Sequence, residues 1–264
     1  MKQKLKLQDV EATLLIPVWS RSVETQNKKG IIVDNYSSRI CNEVDFNFKL
    51  FDKSWKSQVG IAIRTKIIDN KVCDFLKENP DGNIVILGAG LDARAFRLDN
   101  NLANWFHIDF KNVIDLRANF FTSTKRHKDI TSDVLKEEWI AEIPKDKKIL
   151  FIVEGLIMYL DKQEVTQLFK NITYNFTDAE VLVEILSTRM SENTANHDSV
   201  SKFNAVFKSG FNHSIELEKI NPKLSFIKDW FYLDEYKEKW RFFRFIFLLP
   251  DRLKSARIAY FKIL

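Results

Sequence analysis

The stretch Asn83–Leu98, NIVILGAGLDARAFRL, restricts the fold of this 264-residue chain more than any other. Asn83–Leu87 is a short, β-branched, apolar run, the pattern of a strand buried on both faces of a parallel sheet. It passes directly into Gly88-Ala89-Gly90 and then into Leu91–Leu98, whose residues predict a helix with one apolar side. Strand, glycine turn and helix together bring a backbone close to a nucleotide-like ligand. Glycine has no Cβ to hold the ligand off, and a helix N-terminus offers unpaired N–H groups. Glycine is scarce elsewhere: of seven, Gly82, Gly88 and Gly90 fall within nine residues.

Two further predicted strands end in acids. Trp105–Ile108 leads to Asp109, nineteen residues after Gly90, where a carboxylate can take both hydroxyls of a ribose. Ile149–Val153 leads to Glu154-Gly155. Ligands of open α/β sheets bind at the carboxyl ends of the strands, so the three tips predict one site. NAD and S-adenosylmethionine both carry a ribose, and the turn separates them in part. A dinucleotide turn favours a third glycine where this chain has Ala93, and Asp92 would repel a pyrophosphate. Adenosylmethionine has an ammonium, a carboxylate and a sulfonium but no phosphate, which suits a mixed Asp92, Arg94 and Glu154 environment. The roughly 80 residues before the first strand also fit poorly with many simple dinucleotide domains. The balance favours adenosylmethionine.

Five segments then match a family. TLLIPVWSRSVE (Thr13–Glu24), GIAIRTKIID (Gly60–Asp69), ILGAGLDARAFRL (Ile86–Leu98), WFHIDFKNVIDLR (Trp105–Arg117) and VEGLIMYL (Val153–Leu160) run along the chain in that order. With them the chain resembles the leucine carboxyl methyltransferase family, in its bacterial branch of tetracenomycin-polyketide-type O-methyltransferases. The resemblance implies a doubly wound, mostly parallel, Rossmann-like seven-stranded sheet and methyl transfer from S-adenosylmethionine. It implies that Arg64 pairs with the cofactor's methionine carboxylate and that Gly88, Ala89 and Gly90 line the turn, with Asp92 and Arg94 beside them. Asp109, with Phe110, would hold the ribose. Asp133, with Val134, would lie beside the adenine, and Glu154 near the amino group. Asp92 and Arg94 could instead pair with each other or cap the helix. Toward the acceptor, Trp19 and Arg21 could cover the substrate, Arg21 pairing a carboxylate bidentately, and Tyr159 could orient it. Two departures stand out: the family commonly has Thr at the Ala93 position and often Asp where this chain has Glu184 in VLVEIL.

Composition agrees with one soluble α/β domain, with 45% hydrophobic and 29% charged residues. MKQKLKLQDVEATLL has no apolar core for export and no run approaches the ~18 residues of a membrane span, so a cytoplasmic protein is expected. Cys41 and Cys73 read as free thiols, and His107, His127, His197 and His213 show no metal-ligand spacing; no metal is expected. The net charge of +5 comes from residues 236–264, which net +6 with eight Lys/Arg and two acids among Tyr236, Trp240, Phe242, Phe243, Phe245 and Phe247, while the rest of the chain nets −1. That segment reads as an amphipathic helix on the sheet with its basic side solvated; an acidic substrate, an anionic membrane or RNA is the other reading. No [DN]PP[YFW] string is present, and nucleic acid is not the expected partner.

Residues 1–80 predict a helical cap within the same domain, with helices around Asp9–Thr25 and Gly60–Asn79 and a turn at Asn79-Pro80-Asp81-Gly82. Residues 81–264 form the expected core. In it Val113–Phe121 and Lys162–Phe176 are helices, and Ala179–Leu186, Leu224–Asp229 and Ala256–Ile263 are strands, the last two joined through the basic helix. Ser187–Asn221, polar and irregular, reads as a lid insertion near the pocket. Methyl transfer is an in-line displacement. A carboxylate acceptor, with a pKa near ~4, is ionised at pH 7 and needs no general base, whereas a phenol or alcohol does. No histidine lies inside a matched motif, which favours a small-molecule carboxylic acid, polyketide-like or another secondary metabolite, as acceptor. A protein C-terminal carboxylate is the other acceptor. An NAD(P)-dependent oxidoreductase and a non-catalytic cofactor-binding protein are the alternatives in other classes.

Overall fold

Five consecutive buried residues make the centre of the molecule. In the computed structural model, which describes residues 9–240 and 256–264, the chain opens with helices α1 (Asp9–Ala12), α2 (Leu15–Gln26), α3 (Asn35–Glu43) and the long α4 (Trp55–Glu78). It then alternates: β1 (Asn83–Leu87), α5 (Arg94–Leu98), β2 (Asn104–Asp109), α6 (Lys111–Arg117), β3 (His127–Thr131), β4 (Ile149–Val153), α7 (Lys162–Asn175) and β5 (Glu180–Leu186). Short helices α8 (Thr188–Ser191) and α9 (Glu216–Ile220) lead to β6 (Leu224–Phe231) and β7 (Ala256–Ile263). The sheet order is β3-β2-β1-β4-β5-β7-β6. Strands β1 to β5 pair in parallel, and β7 runs antiparallel to both β5 and β6. This is the mostly parallel, doubly wound, seven-stranded sheet that the resemblance implies, and the strand–helix alternation accounts for its parallel part.

Side-chain alternation decides what each face packs on. Ile84, Ile86, Leu150, Ile152 and Leu182 pack with Ile63, Ile67 and Phe75 of α4. Val85, Leu87, Phe151, Val153 and Val181 pack with Leu168, Phe169 and Ile172 of α7. Covered on both faces, β1 and β4 are buried at every residue, which is why their sequences are unbroken apolar runs. A third cluster joins Leu15, Val18 and Trp19 of α2 to Phe51, Leu186, Val200 and Phe207. It ties the amino-terminal helices to the segment after β5.

Three local expectations are corrected. Helix α5 begins at Arg94, not Leu91, because the chain first turns at Ala89–Asp92, with Asp92 N–H bonded to Ala89 O at 3.0 Å. The helix is five residues long, and Asp92 Oδ1 already accepts the N–H of Arg94 at 2.8 Å, so its N-terminus offers a ligand little. The helix expected to reach Phe121 closes at Arg117. Strand β3 and helix α3 were not anticipated. Strands β6 and β7 stand where expected; the basic stretch 241–255 between them, with Arg241, Arg244, Arg252, Lys254 and four of its phenylalanines, lies outside the described residues. No helix among the described residues is long and apolar enough to cross a membrane.

Candidate active site

The carboxyl ends of β1, β2, β4 and β5 open onto one cavity of about 1450 Å³. Ordinary ligand pockets span ~300–1,000 Å³, so the space suffices for a cofactor and a second reactant. Its floor is the glycine turn, with Gly88 and Gly90 in the left-handed region at φ +68° and +49°. Asp109, at the tip of the neighbouring strand, splints that turn: Oδ2 accepts from Gly90 N–H at 2.8 Å and Oδ1 from Phe110 N–H at 2.8 Å. Burial pushes the Asp109 carboxyl above its ordinary value. From beneath, Arg117 Nη1 donates to the carbonyls of Gly90 (2.9 Å) and Asp92 (3.0 Å). Phe110, 52% exposed, lines the cavity along with Asp133 and Val134, which follow β3. Asp133 Oδ1 is held by Leu135 N–H at 2.9 Å.

Beside the turn lies a buried ionic network. Arg64 of α4 donates from Nε to Glu154 Oε1 (2.6 Å) and from Nη1 to both oxygens of Glu184 (3.0 and 2.8 Å). Arg94 donates to Asp69 (2.7 Å), to Glu154 Oε2 (2.8 Å) and to Asp92. Glu184 also accepts from Gly155 N–H and from the Tyr232 hydroxyl, each at 2.8 Å. Burial alone would raise Glu154, but the guanidiniums of Arg64 and Arg94 hold it below the usual carboxylate range. Asp92 is likewise held low against its burial, by Arg94 foremost. The pairing keeps Glu154 and Asp92 ionised and holds the planes of the two arginines fixed.

The structure brings Arg64, Gly88, Ala89, Gly90, Asp92, Asp109, Phe110, Asp133, Val134, Glu154, Arg21 and Tyr159 to the cavity wall and leaves two predicted residues off it. Arg94 is wholly buried, its guanidinium spent on three carboxylates, so the pairing with Asp92 prevails over ligand contact. Trp19 is a core residue, its ring 5.4 Å from that of Phe51. Arg21 reaches the wall with Nε already donating to Asp34 (2.9 Å) and Ser37 (3.1 Å). Tyr159 has its hydroxyl 3.4 Å from Thr13 Oγ1, and burial pushes the phenol up to about 12. Sequence reasoning passed over Glu184, Asp69, Arg117 and His197. Glu184 had a signal, as a departure from the family's Asp, and Arg117 closes a matched segment; Asp69 closes another, and His197 had none.

These residues fit adenosylmethionine. Two left-handed glycines bare the turn, Asp109 presents a carboxylate at a strand tip, and Arg64 and Glu154 offer opposite charges on the same wall. The fold is shared with a candidate methyltransferase from Thermobifida fusca, at a TM-score of 0.60 over 92% of this chain and 94% of that one, with 13% identity. Sheet order, glycine turn and acidic strand tips thus define the class as a Rossmann-like α/β methyltransferase fold. The sequence profile of leucine carboxyl methyltransferases matches residues 15–173, and the chain belongs to that family. Among curated relatives, the tetracenomycin polyketide synthesis O-methyltransferase TcmP of Streptomyces glaucescens is 23% identical over 235 residues, 89% of this chain and 87% of that protein. The S-adenosyl-L-methionine-dependent methyltransferase dpfgK of Gibberella zeae is 28% identical over 200 residues, 70% of this chain and 67% of that protein. Membership makes the chain a methyltransferase that uses S-adenosylmethionine.

Proposed function

We propose that this protein methylates a carboxylate of a small organic acid. The observation that carries the reading is the character of the cavity wall. Its histidine among the described residues, His197, has Nδ1 occupied by Val200 N–H at 3.2 Å, and burial holds its imidazole below the ordinary range. Tyr159 is pushed the other way, and Glu154 and Glu184 are tied to Arg64. None of these is placed to take a proton from a phenol or alcohol, while an acid ionised at pH 7 arrives ready to attack.

When bound, the cofactor supplies a methyl group activated on a sulfonium. Asp109, with Phe110, would take the ribose, Asp133 and Val134 the adenine, Arg64 the carboxylate and Glu154 the ammonium. Residues 9–80 act as a cap and 187–221 as a lid over the acceptor end, where Leu14 and Pro17 face the cavity from one and Met190 and Val206 from the other. Excluding water there favours a reaction in which a cation and an anion neutralise each other. The polyketide context in the name of the Streptomyces relative supports a polyketide-like acid as acceptor.

Calorimetric titration with adenosylhomocysteine, with NADH as the parallel control, tests the reading. Adenosylhomocysteine should bind, NADH should not, and Asp109→Ala should weaken binding by about 10- to 100-fold, the worth of hydrogen bonds to a charged group. Binding of NADH alone would hand the site to an oxidoreductase.

A further inference from the structure

The segment after β5 brings to the cavity a side chain that no matched motif contains. His197 lines the wall with its side chain 17% exposed. The backbone N–H groups of Val200 and Ser199 point at its Nδ1 from 3.2 and 3.5 Å. Amide nitrogens only donate, so Nδ1 is the acceptor and the neutral ring carries its proton on Nε2. The ring stands edge-on to Phe207, with centroids 5.6 Å apart at 88°, and Phe207 meets Tyr159 at 5.4 Å. Tyr159, Phe207 and His197 thus form one aromatic wall drawn from separate segments.

The position is held from far along the chain. The next residue, Asp198, accepts through Oδ2 from the N–H groups of Lys56 (3.1 Å) and Ser57 (3.3 Å), in the first turn of α4, and through Oδ1 from the Ser57 hydroxyl. Its carbonyl accepts from Ser54 Oγ at 2.6 Å. A carboxylate 141 residues away therefore caps α4 and fixes the backbone that presents His197.

We infer that His197 is an acceptor-binding residue, donating Nε2–H to the carboxylate of an aromatic acid that lies against the His197–Phe207–Tyr159 wall. The inference rests on the methyl-transfer reading above and names its substrate class and one of its contacts. A neutral donor holds one carboxylate oxygen in place and leaves the second free as the nucleophile. Because Nδ1 is already occupied, the same ring has no lone pair to accept a phenolic proton, so the wall discriminates an acid from a phenol by charge and by donor–acceptor match.

The test uses 2-naphthoate as probe and 2-naphthol as its neutral counterpart, titrated calorimetrically into protein saturated with adenosylhomocysteine. The wild type should bind naphthoate at least about tenfold more tightly than naphthol; His197→Gln, which keeps an amide donor, should stay within about threefold and His197→Phe should lose about tenfold, with adenosylhomocysteine affinity equal in all three. A long-range ¹⁵N spectrum should show the Nε2–H tautomer and a shift of that nitrogen when naphthoate is added. An Nδ1–H tautomer, or unchanged naphthoate affinity in His197→Phe, overturns the inference. So does naphthol binding as tightly as naphthoate, or naphthoate failing to bind the loaded wild type. Failure of adenosylhomocysteine to bind overturns the methyl-transfer reading itself, and this inference with it.

Discussion

Gly88 and Gly90 share a left-handed backbone, yet a methyl group would meet different surroundings at each. A Cβ at Gly88 would sit 3.1 Å from the Leu156 side chain, so Leu156 must give way; at Gly90 the nearest atom is Leu14 Cβ at 3.6 Å, an ordinary contact. Both alanine variants take on the backbone penalty of ~1–2 kcal/mol, and Gly88→Ala adds the displacement of Leu156. Thermal unfolding should rank wild type above Gly90→Ala above Gly88→Ala. Calorimetry should show adenosylhomocysteine affinity reduced in Gly90→Ala, whose new methyl stands toward a cavity-lining residue. Equal melting temperatures for the two variants would refute the difference in crowding. At this scale the sequence was legible where a residue's conformation is set by its own backbone: Gly88 and Gly90 are left-handed where the turn put them, and Asp109 stands at the tip of its strand. It was not legible where the task is set by a partner from another element. Arg94 reads equally as a ligand contact or as a partner of Asp92, and the pairing prevails because Asp69 from α4 and Glu154 just after β4 also converge on its guanidinium.

Helix α4 carries Arg64 on its third turn, and its start depends on a cap supplied from outside its own sequence. Ser54 precedes it but makes no side-chain cap bond; Asp198 supplies that bond instead. Asp198→Ala should destabilise the protein by about 1 kcal/mol, the usual worth of such a cap. Hydrogen exchange at the amides of Lys56 and Ser57 should quicken, while β1 and β4 stay protected. Unchanged exchange at those two amides would show the cap to be ornamental. Elements covered on two faces announced themselves, since β1, β4 and β5 are nearly continuous apolar runs. Strand β3, His127–Thr131, did not. It lies at the sheet edge beside β2, with Lys128 and Thr131 exposed, and HKDIT carries no apolar alternation to read. Helix α3 was hidden for the same reason, burying only Ser37 and Ile40; its one local sign was the N-cap, Asp34, which accepts from Ser37 N–H at 3.0 Å.

For the whole molecule the buried charges make stability a function of pH with a defined sign. His107 is 1% exposed, and burial, reinforced by Arg117, brings its imidazole down to about 4. The unfolded chain would bind that proton near ~6.5, so between those values the unfolded state holds more protons. The contribution is complete above pH ~6.5 and is lost as pH falls through the folded value. Asp129, held to about 2 by His107 and Arg117 against its burial, and Asp99, held to about 2 chiefly by Arg126, continue the loss in more acid solution. Urea denaturation at pH 7.5, 5.5 and 4.5 should show a progressive fall, at most ~3 kcal/mol from His107 alone. A midpoint that held constant over that range would contradict the burial of a neutral imidazole.

The place of β7 has a consequence for synthesis. Among the described residues strand β6 has β7 as its one neighbour in the sheet, and β7 stands between it and β5. On a translating ribosome Leu224–Phe231 emerges before the strand it pairs with among the described residues, and the edge of β5 that β7 covers lacks that strand until residues 256–263 have cleared the tunnel. The first five strands can therefore assemble around the cofactor turn while the nascent chain is still attached. The other two join as an antiparallel pair once residues 256–263 are available, and until then the β5 edge is open to pairing with another strand.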